Sequence, residues 1–327
     1  MSETPLASIV VTTYNQEQSL PVTLDSLLAQ KTSFPFEIVV GEDCSQDGTR
    51  SVLAEYARMY PDKIRPIYNE HNLGILGNYV STLRQCRGKY IAGCAGDDFW
   101  NDPEKLQLQV DIMEKDPEIG LVYTDVLMDS VATGEQFVRK CTNPQDDTFT
   151  QLLHGCFITA PTACFRASLL EHVDFDEFQH QGFIMEDYPM WLTFSLHAKF
   201  FHLKRPTVTY RIERKFINDA REVGLHACRF DEGTTAIRLH FRNRYPDRTP
   251  LTADEIEDAH SKIGYLAGLN MNDRKFAKEY VDKVHNRTPY VNRLSRICAS
   301  PALFWGYQTY RRLTGKTRTP LQMYFGQ

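Results

Sequence analysis

None of the eight cysteines in this chain is spaced C-x-x-C, so neither a zinc ribbon nor a thioredoxin-type redox pair is indicated. The surroundings of Cys86, Cys94 and Cys164 are apolar and strand- or helix-like, which suits buried free thiols in a reducing compartment rather than disulfides. Neither G-x-G nor G-x-x-x-x-G-K-[ST] occurs, which removes the dinucleotide fingerprint and the P-loop. Nowhere do about 18 apolar residues run together, and no basic stretch precedes the first short apolar run, so neither a membrane span nor a signal peptide is expected. Acid, too, is missing from one end. Residues 283–327 hold eight Lys or Arg and no Asp or Glu, which leaves −13 for residues 1–282 of a chain whose net charge is −5. An acidic main body argues against nucleic acid as a partner.

With 327 residues, 42% hydrophobic and 24% charged, the chain can bury a full core and is long enough for one large domain plus an appendage. Residues 8–13 form a β-branched apolar run ending in Tyr14-Asn15, and Leu20, Leu24, Leu27 and Leu28 follow at helical spacing. The unit repeats. Residues 36–41 predict a strand, 42–49 a polar loop, and Val52, Leu53, Tyr56 and Met59 a second helix. A third strand is predicted at 64–68, a third helix through Leu76, Tyr79, Val80, Leu83 and Cys86 that Gly88 stops, and a fourth strand at 90–92. Alternating strands and helices imply a parallel, doubly wound sheet. Further on, residues 120–125 predict a strand and 148–154 a helix, with one or two strands over 157–165. A helix opens at Glu186-Asp187, and strands interrupted by Pro206 span 200–211. From about Arg221 the pattern turns helical, with helices over 221–245, from Thr252, and from Asn272-Asp273. The boundary is expected near Lys215, giving residues 1–215 and 216–327.

Three polar loops, 12–15, 42–49 and 96–100, all follow strands, so they can converge on the edge where open α/β sheets bind ligands. In the last of them a buried strand runs through Gly93-Cys94-Ala95-Gly96 into Asp97-Asp98, the small residues leaving room for another molecule against the backbone. Two hard oxygen donors there suit Mg²⁺ or Mn²⁺. An Asp-Asp pair more often caps a turn or helix, but that task has another candidate. Asp102, Pro103 and Glu104 fit the N-cap, first position and first-turn acid of the helix through Lys105, Leu108 and Ile112.

Taken in order, Val10-Val11-Thr12-Thr13-Tyr14-Asn15, Val40-Gly41-Glu42-Asp43-Cys44-Ser45-Gln46-Asp47-Gly48-Thr49, Gly96-Asp97-Asp98 and Glu186-Asp187-Tyr188-Pro189-Met190-Trp191 resemble the four motifs of family 2 glycosyltransferases. The resemblance spans roughly residues 6–212 and leaves the last third uncovered. It implies an α/β fold of the GT-A nucleotide-diphospho-sugar transferase type, with a mostly parallel central sheet followed by a C-terminal helical region. It also implies inverting transfer of a sugar from a nucleoside-diphosphate donor, uridine type favoured, to a saccharide or lipid-linked saccharide in cell-surface or extracellular polysaccharide synthesis. By the family's pattern Thr12 and Tyr14 line the nucleobase and ribose pocket, Asp43 accepts hydrogen bonds from base or ribose, and Asn78 belongs to the donor-binding set. Asp97 with Asp98 would hold the metal on the diphosphate, and Asp187 would be the base. The chemistry asks for such parts independently, since the leaving diphosphate must be neutralised and the incoming hydroxyl must lose a proton. Asp187 has a competing role as N-cap of its helix, compatible with the first. Three positions depart from the family: Glu42-Asp43 stands where Asp-Asp is usual, Gly77 where a basic residue often precedes Asn78, and Ile212-Glu213 after Tyr210-Arg211 where a metal-assisting histidine sometimes stands.

A nucleotidyltransferase making an activated sugar would use a similar sheet, but with a basic, Gly-rich loop after the first strand, where Thr13-Tyr14-Asn15-Gln16 has neither feature. A glycoside hydrolase needs carboxylates on either side of a bond, which adjacent residues supply poorly. A non-catalytic carbohydrate-binding protein is the remaining alternative. In the tail, Arg287, Arg293, Arg296, Arg311, Arg312, Lys316 and Arg318 stand among large apolar residues. A helix over 302–313 would gather Leu303, Phe304, Tyr307 and Tyr310 on one face with Arg311 and Arg312 reaching toward headgroups, which suits an anionic membrane surface touched by residues 287–318. The other reading packs this helix on the acidic body. The expected location is cytoplasmic, peripheral at the inner face of a membrane.

Overall fold

The computed structural model describes residues 4–130, 134–141, 147–212 and 220–316. The chain divides into two compact units, one built on residues up to Arg211 and the other from Ile212 onward. The boundary expected near Lys215, together with Glu213 and Arg318, falls outside the described residues.

The first unit opens as β1 (Ala7–Thr13), α1 (Leu20–Leu28), β2 (Phe36–Glu42), α2 (Thr49–Met59), β3 (Ile64–Tyr68), α3 (Gly74–Leu83) and β4 (Tyr90–Ala95). β1 lies between β2 and β4, and β2 beside β3, all parallel. The apolar runs of β1 and β2 are buried at nearly every position because strands of such a sheet are covered on both faces. Leu20, Leu24 and Leu27, one stripe of α1, are fully buried.

The other half of the sheet is built differently. It comprises β5 (Phe99–Trp100), α4 (Lys105–Lys115), β6 (Ile119–Ser130), β7 (Gln136–Arg139), α5 (Thr148–His154), β8 (Cys164–Arg166), α6 (Phe175–His180), α7 (Asp187–Ser195) and β9 (Lys199–Ile212). The order across the sheet is β3-β2-β1-β4-β8-β6-β9-β5, with β7 beside β6. Since β8 runs antiparallel to β4 and β6, and β5 antiparallel to β9, the doubly wound expectation holds for the first four strands and gives way to a mixed sheet beyond them. Residues 157–165 yield a strand only at their end, because Pro161 sits in a 3-10 turn over Ala160–Thr162. Pro206 does not interrupt β9. Its pairing with β5 involves Val208 and Thr209, so the missing N–H lies outside that short ladder. α4 starts at Lys105, after a turn in which the Asp102 carboxylate accepts the Glu104 N–H.

The second unit is helical: α8 (Ala220–Arg244), α9 (Ala253–Asn270), α10 (Arg274–Lys283), α11 (Pro289–Ala299) and α12 (Pro301–Leu313). Thr252 and Glu255 form a reciprocal capping box on α9, and Asp273, Thr288 and Ser300 cap the three helices that follow. Tyr265, Leu269, Ala277, Val281, Val291, Leu294, Cys298 and Phe304 share one core. The tail helix therefore presents a different face from the one expected. Phe304 and Arg311 turn inward, Arg311 donating to Gln308 Oε1 and Asn270 Oδ1, while Leu303, Trp305, Tyr310 and Leu313 stay 55%, 73%, 48% and 83% exposed.

Candidate active site

The end of β1 is the frame. The Asp43 N–H donates to Thr13 O at 3.0 Å and the Gly96 N–H to Thr12 O at 3.0 Å, so two successive carbonyls of one strand hold the loops after β2 and β4. The loop after β1 is laced to the loop after β2 by Asn15 N–H to Ser45 Oγ (3.0 Å), Gln46 N–H to Asn15 Oδ1 (2.8 Å) and Gln16 N–H to Thr49 Oγ1 (2.7 Å). Asn15 and Cys44 take left-handed backbone conformations to make these turns, with φ of 52° and 61°. The three polar loops do meet at one edge.

On this edge Thr12 is half-buried at the strand end and Tyr14 is 41% exposed, its ring open to stacking. Asp43 is buried. Its Oδ1 accepts Asn69 Nδ2 and the Leu73 N–H, both at 2.8 Å, and its Oδ2 accepts the Gly74 N–H at 3.0 Å. Two oxygens offer about four acceptor positions, so one remains for a ligand. Asn78 is also buried, donating to Gly41 O and accepting from Asn69 Nδ2, each at 3.0 Å. It stands behind Asp43 and fixes it through Asn69. A side chain at Gly41 would collide with Asn78 and Thr82, which is why α3 can lie so close to β2. Glu42, the departure from Asp-Asp, is a clamp: burial would raise its carboxyl, but bonds from the Ser45 N–H and Arg50 Nε, both 2.6 Å, outweigh burial and hold it below the usual range.

Asp97 is half-buried, and Asp98, just before β5, is buried with its Oδ1 accepting the Arg211 N–H at 3.1 Å. Neither caps a described helix. Burial first, and the neighbouring Asp97 second, push the Asp98 carboxyl well above the ordinary range. Gly93 has open space over it as expected. Gly96 does not, because Thr13 and Gln16 already lean over it. Among the described residues no third His, Cys, Asp or Glu completes a metal cage. Two carboxylates whose repulsion a cation would relieve fit Mg²⁺ or Mn²⁺ that shares its coordination with phosphates and water. Behind the loop Lys105 is wholly buried, its Nζ 2.7 Å from Gln109 Oε1 and 3.9 Å from the centre of the Trp100 ring, and burial brings it down to about 8.

Asp187 belongs to a second group. It is the first residue of α7, where neither it nor Glu186 forms a side-chain cap, so the expected capping role is not taken up. Burial raises the Asp187 carboxyl against the opposing Tyr188 N–H, and burial together with Asp187 raises Glu186. Both carboxyls act electrostatically on buried Tyr79, next to Asn78 on α3, and Asp187 acts on Cys156. Tyr188 anchors α7 by donating its hydroxyl to Leu152 O. Sequence reasoning does not name Asn69, and it names Glu186 and Arg211 without giving either a role. For Arg211 the Tyr-Arg pair was the only signal.

Residues 8–173, about half the chain, match the family described as Glycosyl transferase family 2. The uncharacterised protein Rv1520 of Mycobacterium tuberculosis is 40% identical over 130 residues, 38% of each chain. This chain therefore spans less than half the length of that relative. The Escherichia coli enzyme named UDP-Glc:alpha-D-GlcNAc-diphosphoundecaprenol beta-1,3-glucosyltransferase WfgD is 30% identical over 188 residues, 58% of this chain and 69% of WfgD. In fold, the mannosyltransferase PcManGT of Pyrobaculum calidifontis, solved with GDP-Man and Mn2+, superposes with a TM-score of 0.55 at 16% identity over 98% of this chain and 87% of its own.

Proposed function

Because this chain belongs to glycosyl transferase family 2, we propose that it moves a sugar from a nucleoside-diphosphate sugar to an acceptor hydroxyl, with inversion, in the assembly of a surface or extracellular polysaccharide. The observation that carries this reading is the suspension of Asp43 and the Asp97-Asp98 loop from consecutive carbonyls of β1; with all three carboxylates at one sheet edge, Asp43 would face the nucleoside and the pair the diphosphate. Tyr14 would stack on the base, Thr12 would line the ribose side, and the remaining acceptor position of Asp43 would take one N–H or O–H. A uridine donor is favoured, WfgD being named for UDP-Glc and for a diphosphoundecaprenol acceptor. Asp97 and Asp98 would hold Mg²⁺ or Mn²⁺; PcManGT, of similar fold, was solved with Mn2+. When bound, such an ion supplies positive charge to the leaving diphosphate. The Asp187 carboxylate would take the proton of the acceptor hydroxyl as that oxygen bonds to the anomeric carbon, and burial, which makes it more basic than a free carboxylate, suits it to this task.

No described helix is long and apolar enough to cross a membrane, and we propose that a lipid-linked acceptor is met by peripheral attachment at the inner face of a membrane through α12 and its basic neighbours, from the cytoplasm. The test of the activity is a panel of nucleotide sugars scored for metal-dependent release of free nucleoside diphosphate. Release from at least one donor, stimulated by a saccharide acceptor, is expected. Binding of sugars with no turnover of any donor would favour a non-catalytic carbohydrate-binding protein.

A further inference from the structure

Two ionised carboxylates and one divalent ion sum to no net charge, yet the diphosphate gains a negative charge as its oxygen parts from the anomeric carbon. A further cation is therefore needed on the protein side. Arg50 is already committed, to Glu42 and to Asn69 O, and Lys105 is sealed behind Trp100. Arg211 is placed otherwise. β9 runs antiparallel to β5 with Thr209 opposite Phe99, so its next residues pass the acidic pair, and Arg211 meets Asp98 through its main-chain N–H at 3.1 Å. Its guanidinium carbon lies 5.6 Å from the centre of the Phe99 ring, and its Nε is buried with no partner among the described residues. A buried Nε without a hydrogen-bond acceptor, on a half-buried arginine beside the Asp97-Asp98 loop, is a donor open to one.

We propose that Arg211 binds the diphosphate of the donor, its guanidinium donating to a phosphate oxygen and taking up the charge left there when the glycosidic carbon–oxygen bond breaks. The electron pair of that bond stays on the phosphate oxygen. The new bond forms from the acceptor oxygen, whose proton passes to Asp187. This rests on the transfer reaction proposed above, and it assigns Arg211 the phosphate-facing role that Gly77, standing where a basic residue is usual, leaves open.

The test is calorimetric titration of UDP and GDP, and of uridine as a control without phosphate, into wild type, Arg211→Gln and Arg211→Lys, with and without Mn²⁺. A charge-assisted hydrogen bond predicts that the Gln variant loses about 10- to 100-fold in UDP affinity and nothing in uridine affinity. Its melting temperature should move little, since the hydrogen bond to Asp98 comes from the main chain and only the attraction between the guanidinium and that carboxylate is lost. Lys, which keeps the charge but not the fork, should lose less. UDP binding within about twofold of wild type would overturn the assignment. Should the Gln variant melt early, Arg211→Met, uncharged and of similar length, carries the same comparison, and equal UDP affinity there overturns it too. If wild type binds neither UDP nor GDP with or without Mn²⁺, the transfer reading fails and takes this inference with it, whereas a binding wild type and an unaffected variant sink Arg211 alone.

Discussion

Asp187 and Glu186 are neighbouring half-buried carboxyls, and desolvation raises both. A base works ionised, so kcat/KM should fall on the acid side at a pH above the ordinary carboxylate value of about 4. Asp187→Asn should lower kcat by about two to four orders of magnitude while leaving nucleoside-diphosphate affinity alone. A loss under about fivefold would leave Asp187 as a helix-opening residue. Asn suits helix starts as well as Asp does, so this variant isolates the proton. The same shift has a sign in stability. A folded value raised above the unfolded one means stability that is fully present below the unfolded value and is lost as pH rises through the folded one. Unfolding free energy without nucleotide or metal should therefore decline as pH rises above about 4, and less steeply in Asp187→Asn; parallel slopes would contradict the shift. Asp98→Asn keeps shape and removes charge, and it should abolish metal-dependent donor binding in a folded protein. Nucleoside diphosphate bound with metal as tightly as by wild type would end the metal assignment.

At the scale of elements, α3 joins the two groups: Asn78 reaches β2 and Asn69, while Tyr79 lies in the field of Glu186 and Asp187. Asn78→Ala strands Gly41 O and one Asn69 donor in the interior, and should cost about 1–3 kcal/mol, read as a lower denaturant midpoint. Donor affinity should fall with it, because Asn69 then no longer holds Asp43 from behind. Unchanged stability would mean that the network relaxes freely. β1, β2 and α7 were legible because their residues carry the pattern alone, as apolar runs or an acidic start before an aromatic stretch. Other elements were not. Pro206 suggested a broken strand, since the ladder that spares its nitrogen belongs to Phe99 and Trp100, a hundred residues earlier. α11, opened by Thr288 and Pro289, hid in a polar tail. Arg211 meets Asp98 only through strand pairing, which has no period along the chain, and Asp43's occupied oxygens depend on the Leu73 and Gly74 amides.

Over the whole molecule, charge is segregated. Every Lys and Arg from Lys283 onward stands without an acid in the same stretch, and in the second unit α12 buries Phe304 and Arg311 while Leu303, Trp305, Tyr310 and Leu313 remain outside. The inward arginine donates to Gln308 and Asn270, so packing uses one arginine of this helix and leaves Arg312 and Lys316 exposed. An exposed apolar face edged with cations is what an anionic bilayer binds, at about 1 kcal/mol for each basic residue near the surface plus the apolar area inserted. Cutting the chain after Thr288 would be a poor probe, because α11 and α12 contribute Val291, Leu294, Cys298 and Phe304 to the helical core. Trp305→Ser with Leu313→Ser changes the outer face alone. Wild type should cosediment with vesicles of mixed neutral and anionic lipid at low salt, less so as ions screen the attraction over about 10 Å, and the double variant should stay in the supernatant at an unchanged melting temperature. Equal sedimentation of the two would remove the apolar face from the account, and no sedimentation of wild type at low ionic strength would leave α12 as a packing element only.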